Sequence, residues 1–284
     1  MKQLIINIDD AGFSREINKT VELCYQSGVV TGVSLMAPGS YFQEACDALR
    51  GLGINEVGIH CTLTGDVFPC EKHPERVKSL LSKSMKFLPG YKDFILKLLC
   101  KKIKEEHIAK ELENQVTKII SAGFKITHLD SHEHIHMFPA VLKVVTELST
   151  KFGIKYIRMP YEKWRIVSHQ FSLTDFIRHT ALKIFNFMPG VASLKKKFNH
   201  NDFFMGHFHA GRIDENIIRF LLENVSEGVT ELAIHPAVES SEFIKKYPWY
   251  NNSSIELNAL LSDSFKELIK SKEIQLVSHS ETEI

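Results

Sequence analysis

The chain has 284 residues, 44% of them hydrophobic and 24% charged, and a formal net charge of +1. This is ordinary globular composition and long enough to bury a sizeable core. The near balance of charge excludes the basic excess expected of a dedicated nucleic-acid binder. The five cysteines, Cys24, Cys46, Cys61, Cys70 and Cys100, are odd in number and form no CxxC pair. They argue against a disulfide framework and against a zinc–cysteine centre, and a reducing cytoplasm suits them. The chain opens directly into the apolar stretch Leu4 to Ile8, which Asp9 and Asp10 cut short, so a signal peptide is not expected. No segment reaches the roughly 18 apolar residues of a membrane span.

In chain order, Gln3 to Ile8 reads as a buried strand, and Arg15 to Gln26 follows as a helix with Ser14 as its N-cap. Thr31 to Met36 is a second strand, Tyr41 to Leu52 a helix, and Glu56 to His60 a third strand. Asp66 to Gly90 is weakly patterned and reads as an excursion or lid. Tyr91 to Lys101 and Glu105 to Ala122 are helical. Lys125 to Leu129 is a strand, Ala140 to Phe152 a helix and Lys155 to Arg158 a strand. The stretch from Tyr161 to Met205 reads as irregular, with one amphipathic helix around Leu173 to Phe187. Asp214 to Glu227 is helical, Thr230 to Ile234 a strand, Ile255 to Lys270 a helix and Ile274 to Val277 a last strand. Strands alternating with helices predict parallel strands joined by right-handed crossovers. Seven such strands suit a closed, nearly closed or distorted (β/α) barrel, in one domain over residues 1–284.

The chemistry-bearing residues fall at strand C-terminal ends. The first strand runs into Asp9-Asp10-Ala11-Gly12, the third into His60, the fourth into His128-Leu129-Asp130-Ser131-His132-Glu133-His134-Ile135-His136, the fifth into Arg158-Met159-Pro160 and the sixth into His235-Pro236. In a (β/α) barrel those ends share one face, and that face carries the active site. Two adjacent carboxylates after a buried strand are costly unless a cation meets them. Either a metal takes one and the other serves as base, or the pair is a helix N-cap with a solvated neighbour. Four of the 14 histidines lie between His128 and His136, with Asp130 and Glu133 among them. Imidazole and carboxylate are the ligands of zinc, iron and manganese, and carboxylate also suits magnesium. Extended backbone would align His132, His134 and His136, whereas a helix would align His132 and His136, so spacing alone does not choose the ligands. His60 and His235 can each be ligand, acid or packed structural residue. Arg158 can hold a carboxylate or a substrate oxygen, or lie on the surface. His207-Phe208-His209 falls outside the strand-end pattern. The amphipathic Phe171 to Phe187 stretch, with Lys195-Lys196-Lys197 after it, can contact a membrane surface or pack on the barrel.

Four blocks together resemble the YdjC-like carbohydrate deacetylases, a group with chitooligosaccharide deacetylases and hopanoid-associated members. They are Asn7-Ile8-Asp9-Asp10-Ala11-Gly12-Phe13-Ser14, Gly58-Ile59-His60-Cys61-Thr62-Leu63-Thr64, Thr127-His128-Leu129-Asp130-Ser131-His132 and His235-Pro236-Ala237. Their order and spacing fit over nearly the whole chain. The resemblance implies removal of an acetyl group from an N-acetylated sugar, on an oligosaccharide or a glycolipid head group. It implies one divalent ion, magnesium or zinc, on Asp10, His60 and His132, with Asp9 as catalytic base and His235 as acid. Asp130, His128, His134, His136 and Arg158 then contact substrate or orient the ligands. A homodimer is implied too. The family pattern reads Asp-Asp-Phe-Gly where this chain has Ala11, a departure that leaves the ligands intact and can reshape the pocket floor. A metal-dependent phosphoesterase or amidohydrolase on a similar barrel, and a non-catalytic sugar-binding barrel, are the rival readings. The first would place an HxH pair where Asp9 and Asp10 stand.

Overall fold

The computed structural model describes residues 1–163 and 173–282. The first part of the chain forms β1 (Lys2–Ala11), α1 (Arg15–Gln26), β2 (Gly32–Leu35), α2 (Phe42–Gly51) and β3 (Glu56–Cys61). After a long excursion come α3 (Tyr91–Leu99), α4 (Glu105–Ser121), β4 (Lys125–Ser131), α5 (Pro139–Phe152) and β5 (Tyr156–Ile157). The remainder forms α6 (Leu173–Asn186), α7 (Pro189–Lys197), β6 (Phe203–Met205), α8 (Glu215–Glu223), β7 (Gly228–Ile234), α9 (Ser241–Lys246), α10 (Ser253–Leu261), α11 (Asp263–Ser271) and β8 (Ile274–Leu276).

Among the described residues the sheet has eight strands, one more than the sequence pattern predicts. The additional strand, β6, is three residues long and sits at the end of the stretch expected to be irregular. Three residues are too few to show a period. The helix expected over Ile255 to Lys270 is two helices, because Ser262 ends one and caps the next by accepting from the Phe265 N–H. Phe171 lies outside the described residues, and the amphipathic helix begins at Leu173.

The strands pair in parallel in the order β5-β4-β3-β2-β1-β7-β6. β8 pairs with Lys2–Leu4 of β1, while β2 pairs with Asn7–Ala11, so two short strands share one edge of one long strand. The run leading into β6 returns to β5: Ile157 N–H donates to Asn199 O, and Met159 N–H to Asn201 Oδ1. The result is a distorted barrel of parallel strands wrapped by helices.

Period-two alternation sorts the strand residues. Leu4, Ile6 and Ile8 of β1 join the apolar layer beneath the helices, while Ile5 joins Tyr156, Val229 and Val277 in a small apolar plug. One level above that plug the barrel turns polar. Asn7, Ser34, His128, Arg158, Glu231 and His279 are all buried and make contacts with one another. The next level up is the rim that carries Asp9, His60 and Asp130.

Candidate metal and catalytic centre

Consecutive residues of a regular strand point to opposite faces, so Asp9 and Asp10 should not share a cavity. They do, because β1 is irregular there. Its register with β2 shifts between Ile8 and Ala11, and Asp10 takes the left-handed φ of 63°. A bulge of this kind re-aims a side chain at the cost of backbone strain. Gly12, at φ 93°, completes the turn, and a side chain there would press on Met36 O.

Asp10 Oδ1 lies 3.1 Å from His60 Nε2 and 2.9 Å from His132 Nδ1. The three residues come from the ends of three strands and offer one donor atom each toward a common point. Tyr250 donates its hydroxyl hydrogen to the other Asp10 oxygen at 2.7 Å. His60 donates from Nδ1 to Asp130 Oδ1 at 2.8 Å, an arrangement that would present the Nε2 lone pair to an ion held beside Asp10. A carboxylate behind a ligating histidine is the usual way to fix its tautomer and aim. The donor set, one carboxylate and two imidazoles, fits a divalent ion such as zinc, magnesium, manganese or iron.

Charge supports the same conclusion. Asp9, Asp10, Asp130 and Glu231 are all buried here, and Arg158 is ion-paired with three of them, Asp9, Asp130 and Glu231, but not with Asp10. Burial opposes a charged imidazole at His60, but Asp130 and Asp10 outweigh it and raise its pKa to about 10. Without an ion, the site draws a proton to the place a cation would fill.

A second group, Asp9, His60 and Asp130, also has donor atoms close together. Arg158 already saturates it. The guanidinium bonds Asp9 through both oxygens, at 2.7 and 2.8 Å, and reaches Asp130 Oδ2 and Glu231 Oε1 at 2.7 Å each. Arg158 is fully buried, which excludes the surface placement. Burial would raise the Asp9 pKa, but Arg158 dominates and lowers it to about 2. Asp9 is therefore ionised throughout the neutral range. Its Oδ2 faces His235 Nε2 at 3.8 Å.

The remaining histidines divide by place. His128 is inside the barrel below the rim, stacked on His279 at 3.4 Å, and its Nε2 meets Ser34 Oγ. A Cβ at Gly58 would strike its ring, so that glycine makes the room. His136 spans Ser131 Oγ and Arg158 O, and burial lowers its pKa to about 4. It is a neutral bridge that holds the Arg158 backbone. His134 lines the cavity beside His207, their ring centroids 5.3 Å apart. His235 is 15% exposed, meets the Trp249 ring edge-on, and has its backbone N–H held by Glu256.

Asp9, Asp10, His60, His132, His134 and His235 line a cavity of about 540 Å³. Its walls are aromatic, with Phe13, Tyr91, Phe204, Tyr247, Trp249 and Tyr250. The stretch Asp66 to Gly90, expected to be an excursion or lid, contributes Asp66 and Pro89 to the cavity lining, and Gly65 just before it contributes too. Sequence reasoning did not single out Asn7, Ser34, Glu231, Tyr250 or His279. Glu231 carried a legible signal, a charge in the middle of the apolar strand Val229 to Ile234. Tyr250 carried none beyond its place in the cluster Tyr247-Pro248-Trp249-Tyr250.

Comparison with known proteins agrees with this architecture. The chain is similar to a carbohydrate deacetylase of Thermoanaerobacter pseudethanolicus, at 26% identity over 99% of each chain. It is also similar to one from Brevibacillus brevis, at 27% over 98% of this chain and 99% of the other. A chitooligosaccharide deacetylase of Salmonella paratyphi B is 33% identical over 53% of this chain and 57% of its own. A crystal structure from Enterococcus faecalis V583, of a protein only provisionally named for cellobiose-phosphate cleavage, superposes with a TM-score of 0.78. At 24% identity, covering 98% of this chain and 97% of that one, it supports the fold. The YdjC-like protein family model matches residues 3–271, and with the geometry above this establishes that the chain belongs to the YdjC-like family.

Proposed function

We propose that this chain, acting as one domain, hydrolyses the acetamide of an N-acetylated sugar to acetate and the free amine. The observation that carries this is the bulge at Asp9 and Asp10. It sends one carboxylate to the His60–His132 pair and the other to Arg158 and His235. A divalent ion held by Asp10, His60 and His132 would acidify water and polarise the acetyl carbonyl. Asp9 takes the proton of the attacking water on Oδ2, the oxygen that faces His235. Arg158 fixes the carboxylate in the plane needed for that transfer. His235, on the same side of the cavity, gives a proton to the departing amine. The aromatic walls hold the sugar ring by its apolar face. Asp130 and Arg158 act from behind, on His60 and Asp9 respectively. His128 and His136 hold the barrel interior, and His134 meets substrate.

Magnesium or zinc is the proposed ion. A reducing cytoplasm is the proposed location, supported by five cysteines that are all free. Among the described residues no helix is long and apolar enough to cross a membrane. The homodimer rests on the family resemblance, and sedimentation would test it. The two-ion phosphoesterase or amidohydrolase reading is disfavoured because Arg158 fills the second donor group.

Acetate release from N-acetylglucosamine, chitobiose and alkyl N-acetylglucosaminides, with metal added and then chelated, tests the proposal. Chelator-sensitive release from any of them supports it. No release from any, with metal confirmed bound, would sink it.

A further inference from the structure

The catalytic cavity does not end at its aromatic wall. A second cavity of about 640 Å³ adjoins it, and the two share Tyr91, Glu133, His134 and His207. Their linings differ in kind. The first is built around carboxylates and imidazoles. The second, between α3 and α6, is lined by Ile95, Leu98 and Leu99 from one helix, Leu182 and Phe185 from the other, and Phe138 between them. Among the described residues Glu133 is its single acidic lining residue, and it stands at the junction.

Three features point to a ligand. The size lies within the roughly 300–1,000 Å³ of small-molecule sites. The inner end is formed by Glu133 and His134, the two residues directly after His132. Both hold the left-handed φ of 55°, a strain that turns their side chains to the wall between the cavities. Glu133 lines both cavities where the linings change from polar to apolar, and its Oε2 is buried with no hydrogen-bond partner. Large apolar side chains also stand exposed on both helices, Leu96 at 62% and Leu99 at 75% on α3, Ile177 at 59% and Ile184 at 61% on α6. Leu99 lines the groove itself, and the other three stand on the two helices that form it.

We infer that the groove between α3 and α6 binds the long alkyl aglycone of the substrate. The substrate class is then an amphiphile, an N-acetylamino sugar joined to a lipid chain. This rests on the deacetylase reading of the adjoining cavity. The sugar sits among the aromatic rings with its acetamide at Asp9 and Asp10. Glu133 accepts a hydrogen bond from a sugar hydroxyl at the junction, and the chain runs along Leu98, Leu182 and Phe185. The exposed aliphatics on α3 and α6 receive the part of the chain that leaves the groove.

The test is a series of N-acetyl-β-glucosaminides with methyl, butyl, octyl and dodecyl aglycones, each below its micelle threshold, acting on the metal-loaded protein. The inference expects kcat/KM to rise about two- to fourfold per methylene and then level off as the groove fills. Ala181→Trp, which places a bulky ring in the groove, should compress the dodecyl-to-methyl ratio by about tenfold or more. Because that variant can fail to fold, a second measurement needs no substitution. Dodecyl β-glucoside, which has no acetamide, should bind the metal-free protein calorimetrically with a negative heat-capacity change, whereas methyl β-glucoside should not. Turnover of methyl glycoside and chitobiose with no dependence on chain length would overturn the groove assignment and leave the deacetylase standing. Dodecyl glucoside binding without turnover of any acetamide would keep the groove and overturn the deacetylase. A dimer that Ala181→Trp converts to monomer, with no alkyl preference in the parent, would show that a second copy of the chain fills the groove.

Discussion

The floor and the wall of the catalytic cavity are built by different rules. The floor, Asp9, Asp10, His60, Asp130, Arg158 and Glu231, lies at or below 2% exposed, and its charges are matched atom to atom. Each of these groups comes from a strand or a strand end. The wall is mostly aromatic, partly exposed, and carried by turns and loops: Glu133 and His134, His207, Trp249. It retains polar atoms without partners in the protein, at Glu133 Oε2 and His235 Nδ1. A floor of this kind fixes where charge sits, which is what the chemistry needs. A wall of this kind leaves its contacts for a ligand.

The sharpest way to break that division is in the floor. Asp10→Ala should abolish both metal binding and acetate release, because it removes the carboxylate that both imidazoles face. Asp9→Asn should keep the ion and cost about 10²- to 10⁴-fold in rate. Metal content by mass spectrometry, read beside kcat, separates the two. A normal rate in Asp9→Asn would remove the base. Arg158→Met should lose about 3–5 kcal/mol of folding stability, since it leaves three buried carboxylates without their cation. Denaturant titration would show it, and an unchanged midpoint would mean that the floor's ion pairs are not what holds it.

The wall should give smaller effects. His235→Gln should lower kcat by about 10²-fold with the ion retained and KM little changed. A change confined to KM would make it a binding residue. Tyr250→Phe removes a donor to a charged acceptor, worth about 1.5–3 kcal/mol, and should weaken ion affinity without unfolding the chain. Calorimetric titration with zinc would detect that loss. A pH effect concerns two buried glutamates that pin loops. Glu162 accepts from the His207 and Phe208 N–H groups, and Glu111 from those of Cys70 and Glu71. Burial raises each pKa to about 7, above the ordinary glutamate value of 4.5. The folded state then holds protons the unfolded state releases, so this stability is full below about pH 4.5 and is lost as pH rises through about 7. Glu111→Gln should flatten that slope in denaturation midpoints taken between pH 5 and 8. An equally steep slope in the variant would assign the dependence elsewhere.

Much of the floor was legible in the chain. Strands betray themselves by apolar runs and helices by their period, and both are local signals. So the placing of Asp9, Asp10, His60, His132, Arg158 and His235 at strand ends could be read directly. The resemblance added roles to them. The wall was less legible, because β6, α7 and α9 are short or lack a clear period, and turns have none. The apolar groove was hinted at only by the amphipathic stretch that became α6.

What the sequence determined by itself is the alternation of parallel strands and helices, and the set of donor residues delivered to one rim. Tertiary structure alone decided which donors meet. His132 reaches Asp10 across 122 residues of chain and Tyr250 reaches it across 240. It decided that Asp10 turns to the same cavity as Asp9, through a bulge that no local pattern announces. It decided too that Arg158 is the buried counter-ion of three carboxylates, while His128 and His136, close neighbours of His132 in the chain, are spent on the barrel interior. The reason is physical. Periodicity and capping are set by neighbours a few positions away, whereas the burial of charge is solved among groups that only the closed barrel brings together.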